Sequence, residues 1–323
     1  MEQNFSKDKL IAAFETVKTF THCTPMLSSA LLNTKYNVNA YFKGEHLQKT
    51  GSFKPRGAFY SLSQLTKAEK KAGVCTHSSG NHGQALAKAA QIFKLQAFIV
   101  MPSNAPHVKV DAVKQYGAKV IFCEPTLSAR EQKLKEIQLN TGAIEIHPYN
   151  HVNTIVGQST CTLEMIEQVA DLNTILCPIG GGGLVSGALL VKKYFKPQLQ
   201  IIGIEPEGAN DAYRSFHSGQ LVSQSTTDTI ADGLLTNLGS RTWPIIKDGL
   251  DDLITVSDPE IRQGMKDIFQ FTKQVVEPSG AVSTAGLKKL APTLKKQKVG
   301  VILCGGNVDL NKLGLLLSSS PNN

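Results

Sequence analysis

The chain has 323 residues, 41% of them hydrophobic, and a formal net charge of +8. That is room for one large α/β unit or two smaller lobes; no apolar run is long enough to cross a membrane and Met1-Glu2-Gln3-Asn4 does not open a signal peptide, so a cytoplasmic protein is expected. The lysines are interleaved with acids and carry no aromatic-basic recognition motif, which argues against a nucleic-acid partner, and six cysteines without paired spacing exclude a disulfide or zinc framework.

In chain order, the first informative stretch is Thr50-Gly51-Ser52-Phe53-Lys54-Pro55-Arg56-Gly57-Ala58. A lysine amine can condense with an aldehyde if its surroundings keep part of it uncharged, and the small residues around Lys54 let a flat ring approach the backbone. The pattern then alternates. Strand Val74–His77 breaks into Ser78-Ser79-Gly80-Asn81-His82-Gly83 before a helix from Gln84 to Lys94, an arrangement that aims backbone N–H groups at one spot. Strands at 96–101, 119–123 and 143–147 alternate with helices at 106–116 and 128–140, which predicts a parallel sheet. A second series follows: strand 174–179, the four glycines 180–183, a helix from Leu184 to Phe195, a strand ending at Glu205, a strand near 253–256, and helices from Pro259 and Ala281. The last strand, Val299–Leu303, empties into Cys304-Gly305-Gly306-Asn307. Four consecutive glycines are entropically costly, so close approach of backbone to a phosphate is the better explanation of them. Ligands of open α/β sheets bind at the carboxyl ends of strands, so these ends should converge.

The motifs 43–58, 78–85, 180–184, 205–211, 230–233 and 304–310 together resemble those of the fold-type II pyridoxal-phosphate enzymes of the threonine dehydratase and serine racemase group, over about Thr21 to Leu310. The resemblance implies an α/β fold of two open parallel-sheet lobes with helices on both faces, as in the tryptophan synthase β subunit. Residues 1–68 and 149–323 would form a large cofactor domain and 69–148 a small one, with the site in the cleft. It also implies a homodimer. Lys54 would hold pyridoxal 5'-phosphate covalently and later remove the substrate Cα proton; Gly180, Gly181, Gly182, Gly183 and Leu184 would bind the phosphate through backbone N–H groups. Asn81 would bond the ring hydroxyl, and Ser78, Ser79, Asn81 and His82 would clamp the substrate carboxylate. Cys304 would face the ring nitrogen, where the nearest relatives commonly carry serine. Arg130 and His147 match positions near the substrate or the domain closure, with a surface arginine and a strand-end histidine as the plain alternatives.

Two readings of Glu205 stay open. The dinucleotide fingerprint fails because its third glycine would be residue 186, a serine. The resemblance instead matches Glu205, the carbonyl of Ala209 and Asp211 to a site for magnesium, calcium or manganese, whereas acids near a helix start are often caps. The activity implied is β-elimination from L-threonine or L-serine to 2-oxobutyrate or pyruvate and ammonia. Ser79, which in the racemases lies opposite the lysine, makes serine racemisation the alternative; a cofactor-binding protein without catalysis is the third reading.

Overall fold

The computed structural model describes residues 5–78, 80–105 and 107–318. Its ten strands are β1 (Met26–Leu27), β2 (Asn39–Lys43), β3 (Val74–His77), β4 (Ala97–Pro102), β5 (Lys119–Cys123), β6 (Ile144–Glu145), β7 (Thr174–Pro178), β8 (Gln200–Pro206), β9 (Asp252–Val256) and β10 (Lys298–Ile302). They form two sheets, a large one in the order β1-β2-β10-β7-β8-β9 and a small one in the order β5-β4-β3-β6. Every pairing is parallel except that of β1, which runs antiparallel to β2 at the edge of the large sheet.

Alternation along the strands explains why both faces are covered by helices. Ile175 and Cys177 enter one hydrophobic cluster while Leu176 between them enters another, and Cys75, Phe98 and Val100 of the small sheet oppose Val74, Ala97 and Ile99 in the same way. The expected two-lobed parallel α/β fold is therefore present. Chain entry and exit matter for the site. The helix Lys54–Ser63 follows the N-terminal part of the large sheet, the chain then builds the small sheet, and it returns through the helix Val152–Gln168, which packs against Lys54–Ser63. These two helices can approach because Gly57 and Gly157 face each other: a Cβ on Gly157 would sit 2.7 Å from the Gly57 Cα.

Candidate active site

A cavity of about 530 Å³ is walled by residues of both lobes, at the carboxyl ends of β3, β7 and β10. Lys54, Ser78, Asn81, His82, Arg130, Gly180 to Gly183, Leu184 and Cys304 all line it. Segments far apart in the chain thus meet in one place, as strand-end chemistry requires. Ser79 lies outside the described residues.

Lys54 opens its helix with Pro55 behind it, and the preceding Phe53 N–H donates to the Cys304 carbonyl at 3.1 Å, so the lysine and the last strand end are tied together by backbone. Its Nζ donates to the Pro148 carbonyl at 3.1 Å and lies 4.9 Å from the Phe53 ring centre. Burial pulls its pKa down to about 8, against the opposing pull of the Glu277 carboxylate. A sizeable uncharged fraction exists near neutrality, which an aldehyde-capturing amine needs.

The glycine loop follows β7, and the helix Gly183–Phe195 begins at its end. Gly182 has φ +85°, a conformation that disfavours any side chain. A Cβ on Gly181 would strike the Tyr149 ring, one on Gly183 would come within 2.8 Å of the Tyr149 Cβ, and one on Gly180 within 3.0 Å of the Leu234 Cα. Thr242 Oγ1 donates to the Gly181 carbonyl at 2.9 Å and holds the loop from behind. The result is a cradle of backbone at the positive end of a helix.

Across the cavity, Cys304 Sγ is buried and donates to the Ser279 carbonyl at 3.3 Å; burial first, then the nearby Glu277, push the thiol well above its ordinary pKa. It is a neutral thiol, not a thiolate. Asn81 starts the helix Asn81–Phe93, so the polar turn before it is shorter than the sequence suggests and His82 and Gly83 are helical. His82 is buried, its Nε2 is 2.8 Å from the Ile146 carbonyl, and burial lowers its pKa to about 3, so the ring is neutral. Ser78 Oγ accepts from the Gly80 N–H at 3.3 Å. Arg130 is half-buried, its Nε 3.4 Å from the Thr126 carbonyl, and it makes no ion pair among the described residues.

A model of the family described as "Pyridoxal-phosphate dependent enzyme" matches residues 17–305. The chain belongs to this family. A serine racemase from Arabidopsis thaliana is 44% identical over 306 residues, 93% of this chain and 92% of the relative. An L-threo-3-hydroxyaspartate ammonia-lyase from Pseudomonas sp. is 41% identical over 309 residues, 95% of this chain and 97% of the relative. Among solved structures, that of maize serine racemase superposes with a TM-score of 0.92 at 41% identity, covering 95% of this chain and 95% of the other. A solved threonine deaminase superposes with a TM-score of 0.90 at 38% identity, covering 95% of this chain and 99% of the other.

The residues present fit the family's cofactor. A phosphate needs a concave run of N–H groups free of side chains, an aldehyde needs a partly neutral amine, and a flat ring with a weakly basic nitrogen is compatible with a neutral thiol. The glycine loop, Lys54 and Cys304 provide these in one cavity.

Three features of this pyridoxal-phosphate enzyme escape sequence reasoning. Tyr149 fills the space beside the glycine loop, and only that loop's lack of side chains hints at a bulky neighbour. Glu277, 2% exposed, has its carboxyl pushed up to about 7 by burial and by Asp232, and accepts from Asn81 Nδ2 at 2.7 Å. Lys109 and Asp232 form an ion pair of 2.8 Å between the two lobes at the cavity wall.

Glu205, Ala209 and Asp211 lie away from this cavity. Glu205 accepts from the Ala212 and Tyr213 N–H groups at 3.0 and 2.7 Å, the geometry of a cap on the helix Asp211–Ser218, and Asp211 accepts from the Leu238 N–H at 2.8 Å. Burial, then the charge of Asp211, raises Glu205 well above the usual carboxylate range; burial raises Asp211 to about 6. Among the described residues no group of three or more His, Cys, Asp or Glu side chains is arranged to hold a metal.

Proposed function

We propose that this enzyme converts L-threonine or L-serine to 2-oxobutyrate or pyruvate and ammonia, the β-hydroxyl leaving as water and the released enamine taking water back on hydrolysis. The observation that carries the reading is the meeting of a partly neutral Lys54, the glycine cradle and a neutral Cys304 in one cavity. Pyridoxal phosphate, when bound, supplies the electron sink for the pair left on Cα. Lys54 would hold the cofactor through its amine, and its Nζ is the group that would take the substrate Cα proton. Gly180 to Gly183 and Leu184 would give N–H groups to the phosphate, Asn81 would bind the ring hydroxyl, and Cys304 would meet the ring nitrogen without a negative charge. That neutrality would restrain delocalisation into the ring and favour elimination over side reactions. Ser78, Ser79, Asn81, His82 and Arg130 hold the substrate, which orients the Cα–H bond for abstraction.

Serine racemisation is the second reading, supported by the 44% identity to a serine racemase and by Ser79, from which a hydroxyl would return a proton on the face opposite Lys54. Arg130, a cation on the cavity wall with no ion pair among the described residues, supports extending the substrate class to hydroxy amino acids with a second carboxylate, the kind named for the ammonia-lyase relative. The proposal includes a large domain of residues 1–68 and 149–323, a small domain of 69–148, a homodimer, a cytoplasmic location, and a divalent cation at Glu205, the Ala209 carbonyl and Asp211. No described helix is long and apolar enough to cross a membrane. The test is to incubate purified protein with serine, threonine and 3-hydroxyaspartate, with and without a chelator, measuring ammonia and the enantiomers present. Ammonia release lost in Lys54→Ala is expected; a Lys54→Ala protein as active as the parent would overturn the mechanism, and an absence of D-serine would remove racemisation.

A further inference from the structure

Asn81 is held at both ends of its amide. Its Oδ1 accepts from Asn307 Nδ2 at 2.8 Å, and its Nδ2 donates to Glu277 Oε1 at 2.7 Å. The order of this ladder is set from outside. Asn307 Nδ2 also donates to the Thr50 carbonyl at 2.7 Å, and a backbone carbonyl can only accept, so Asn307 presents its nitrogen to Asn81. Asn81 must then turn its oxygen to Asn307 and its nitrogen to Glu277. Rotating the Asn81 amide by half a turn would set nitrogen against nitrogen and carbonyl against carboxylate.

Glu277 is built for this acceptance. It precedes the helix Pro278–Leu290, yet its side chain does not cap that helix. Its N–H is fixed to the Gly305 carbonyl at 3.1 Å, and a Cβ on Gly305 would collide with Glu277 Oε1, so the glycine after Cys304 makes room for the carboxylate. Asn81 follows β3 of the small sheet, whereas Asn307 follows β10 of the large one and Glu277 is bonded to the same strand end through Gly305, so the ladder also bridges the lobes where the cavity lies.

We propose that Glu277 is a positioning residue: by accepting one Nδ2 hydrogen of Asn81 it fixes the amide and leaves the other Nδ2 hydrogen for the hydroxyl oxygen of the cofactor ring. This rests on the cofactor reading of the cavity given under Proposed function. The carboxylate itself acts only through Asn81, so the loss of either partner should remove the same interaction.

The experiment measures the dissociation constant of pyridoxal phosphate by spectral titration of cofactor-free protein, for the parent, Glu277→Ala, Glu277→Gln, Asn81→Ala and the Asn81→Ala/Glu277→Ala pair, each checked by thermal unfolding. Glu277→Ala is expected to weaken binding about tenfold, the usual scale for a buried donor left without its acceptor. Glu277→Gln, whose amide oxygen still accepts, should recover most of that loss, and Glu277→Ala should add nothing on the Asn81→Ala background. Parental affinity in Glu277→Ala, a glutamine variant no better than alanine, or losses that simply add would each overturn the proposal. Should Glu277→Ala fail to fold, Glu277→Asp decides: it keeps the charge but withdraws the acceptor, so weakened binding supports the proposal and parental binding overturns it. A parent that takes up no pyridoxal phosphate ends the cofactor reading and this proposal together, whereas a binding parent with unaffected Glu277 variants ends only the latter.

Discussion

Lys54 is useful only while its amine is neutral, and the structure supplies the cause: burial outweighs the charge of Glu277 and brings the pKa to about 8. The sign follows directly. Below that value the ammonium dominates and the neutral fraction falls by about a factor of ten per pH unit; above it nearly every Lys54 can react. Uptake of pyridoxal phosphate by cofactor-free protein, followed by rapid-mixing absorbance, should therefore accelerate with pH, reach half its plateau near pH 8 and level off about one unit above. A rate still climbing steadily towards pH 10 would show a solvated lysine and contradict the burial argument. Lys54 itself is legible in the sequence, because the residues that admit a flat ring are its chain neighbours. Glu277 is not, since its significance comes from Asn81, on the other lobe and almost two hundred positions away.

The glycine loop is the element on which the site turns. Each of its four positions is closed to a side chain, two of them by the single residue Tyr149. Gly181→Ala should force the Tyr149 ring to move, costing roughly 1–3 kcal/mol as overpacking in a well-packed region does. The expected result is a lower unfolding midpoint in urea together with weaker cofactor binding. On a Tyr149→Ala background the cost of Gly181→Ala should disappear if the clash is the cause; an undiminished cost there would place the strain elsewhere. The loop and its flanking strand and helix can be read from sequence because apolar runs of strand length and a glycine block are local signals. The strands at 74–77 and 119–123 are equally plain, as is the helix ending at Phe195. The helix Val152–Gln168 is not. Residues Thr154 to Met165 are all buried, but many are Thr, Ser, Gly, Gln or Cys, chosen for close packing against neighbouring helices, so no apolar stripe marks one face. The short helices at 30–36 and 211–218 escape for a related reason: two turns are too few to establish a period.

At the scale of the molecule, the question is what holds the chain where it leaves the large sheet to build the small lobe and where it returns. Four buried charges sit at that junction. Arg56, two residues after Lys54, makes paired hydrogen bonds with Glu45 at 2.7 and 2.7 Å and with Glu164 at 2.8 and 2.8 Å, and Lys43 reaches Glu164 at 2.7 Å. Lys43 belongs to β2, Arg56 to the departing helix and Glu164 to the returning one. Two cations balance two carboxylates, so the group is neutral as a whole, and its contribution beyond an apolar core of equal volume is modest. Removing one member is another matter. Burial alone would raise Glu45, yet Arg56 and Lys43 more than compensate and hold it below the usual carboxylate range. Arg56→Met leaves Glu45 and Glu164 facing Lys43 alone, an uncompensated buried charge that costs about 3–5 kcal/mol. Sign and pH window follow from the same groups. In the parent, the depressed Glu45 contributes stability that is present above the ordinary carboxylate pKa and lost on acidification. In the variant, burial of Glu45 is no longer opposed by Arg56, its carboxyl holds its proton to higher pH, and stability is lost as pH rises. The difference in urea midpoint between parent and Arg56→Met, measured on cofactor-free protein, should therefore widen from pH 5 to pH 8. A gap that stays constant across that range would mean that the cost lies in lost packing of the guanidinium and not in the charge it neutralises.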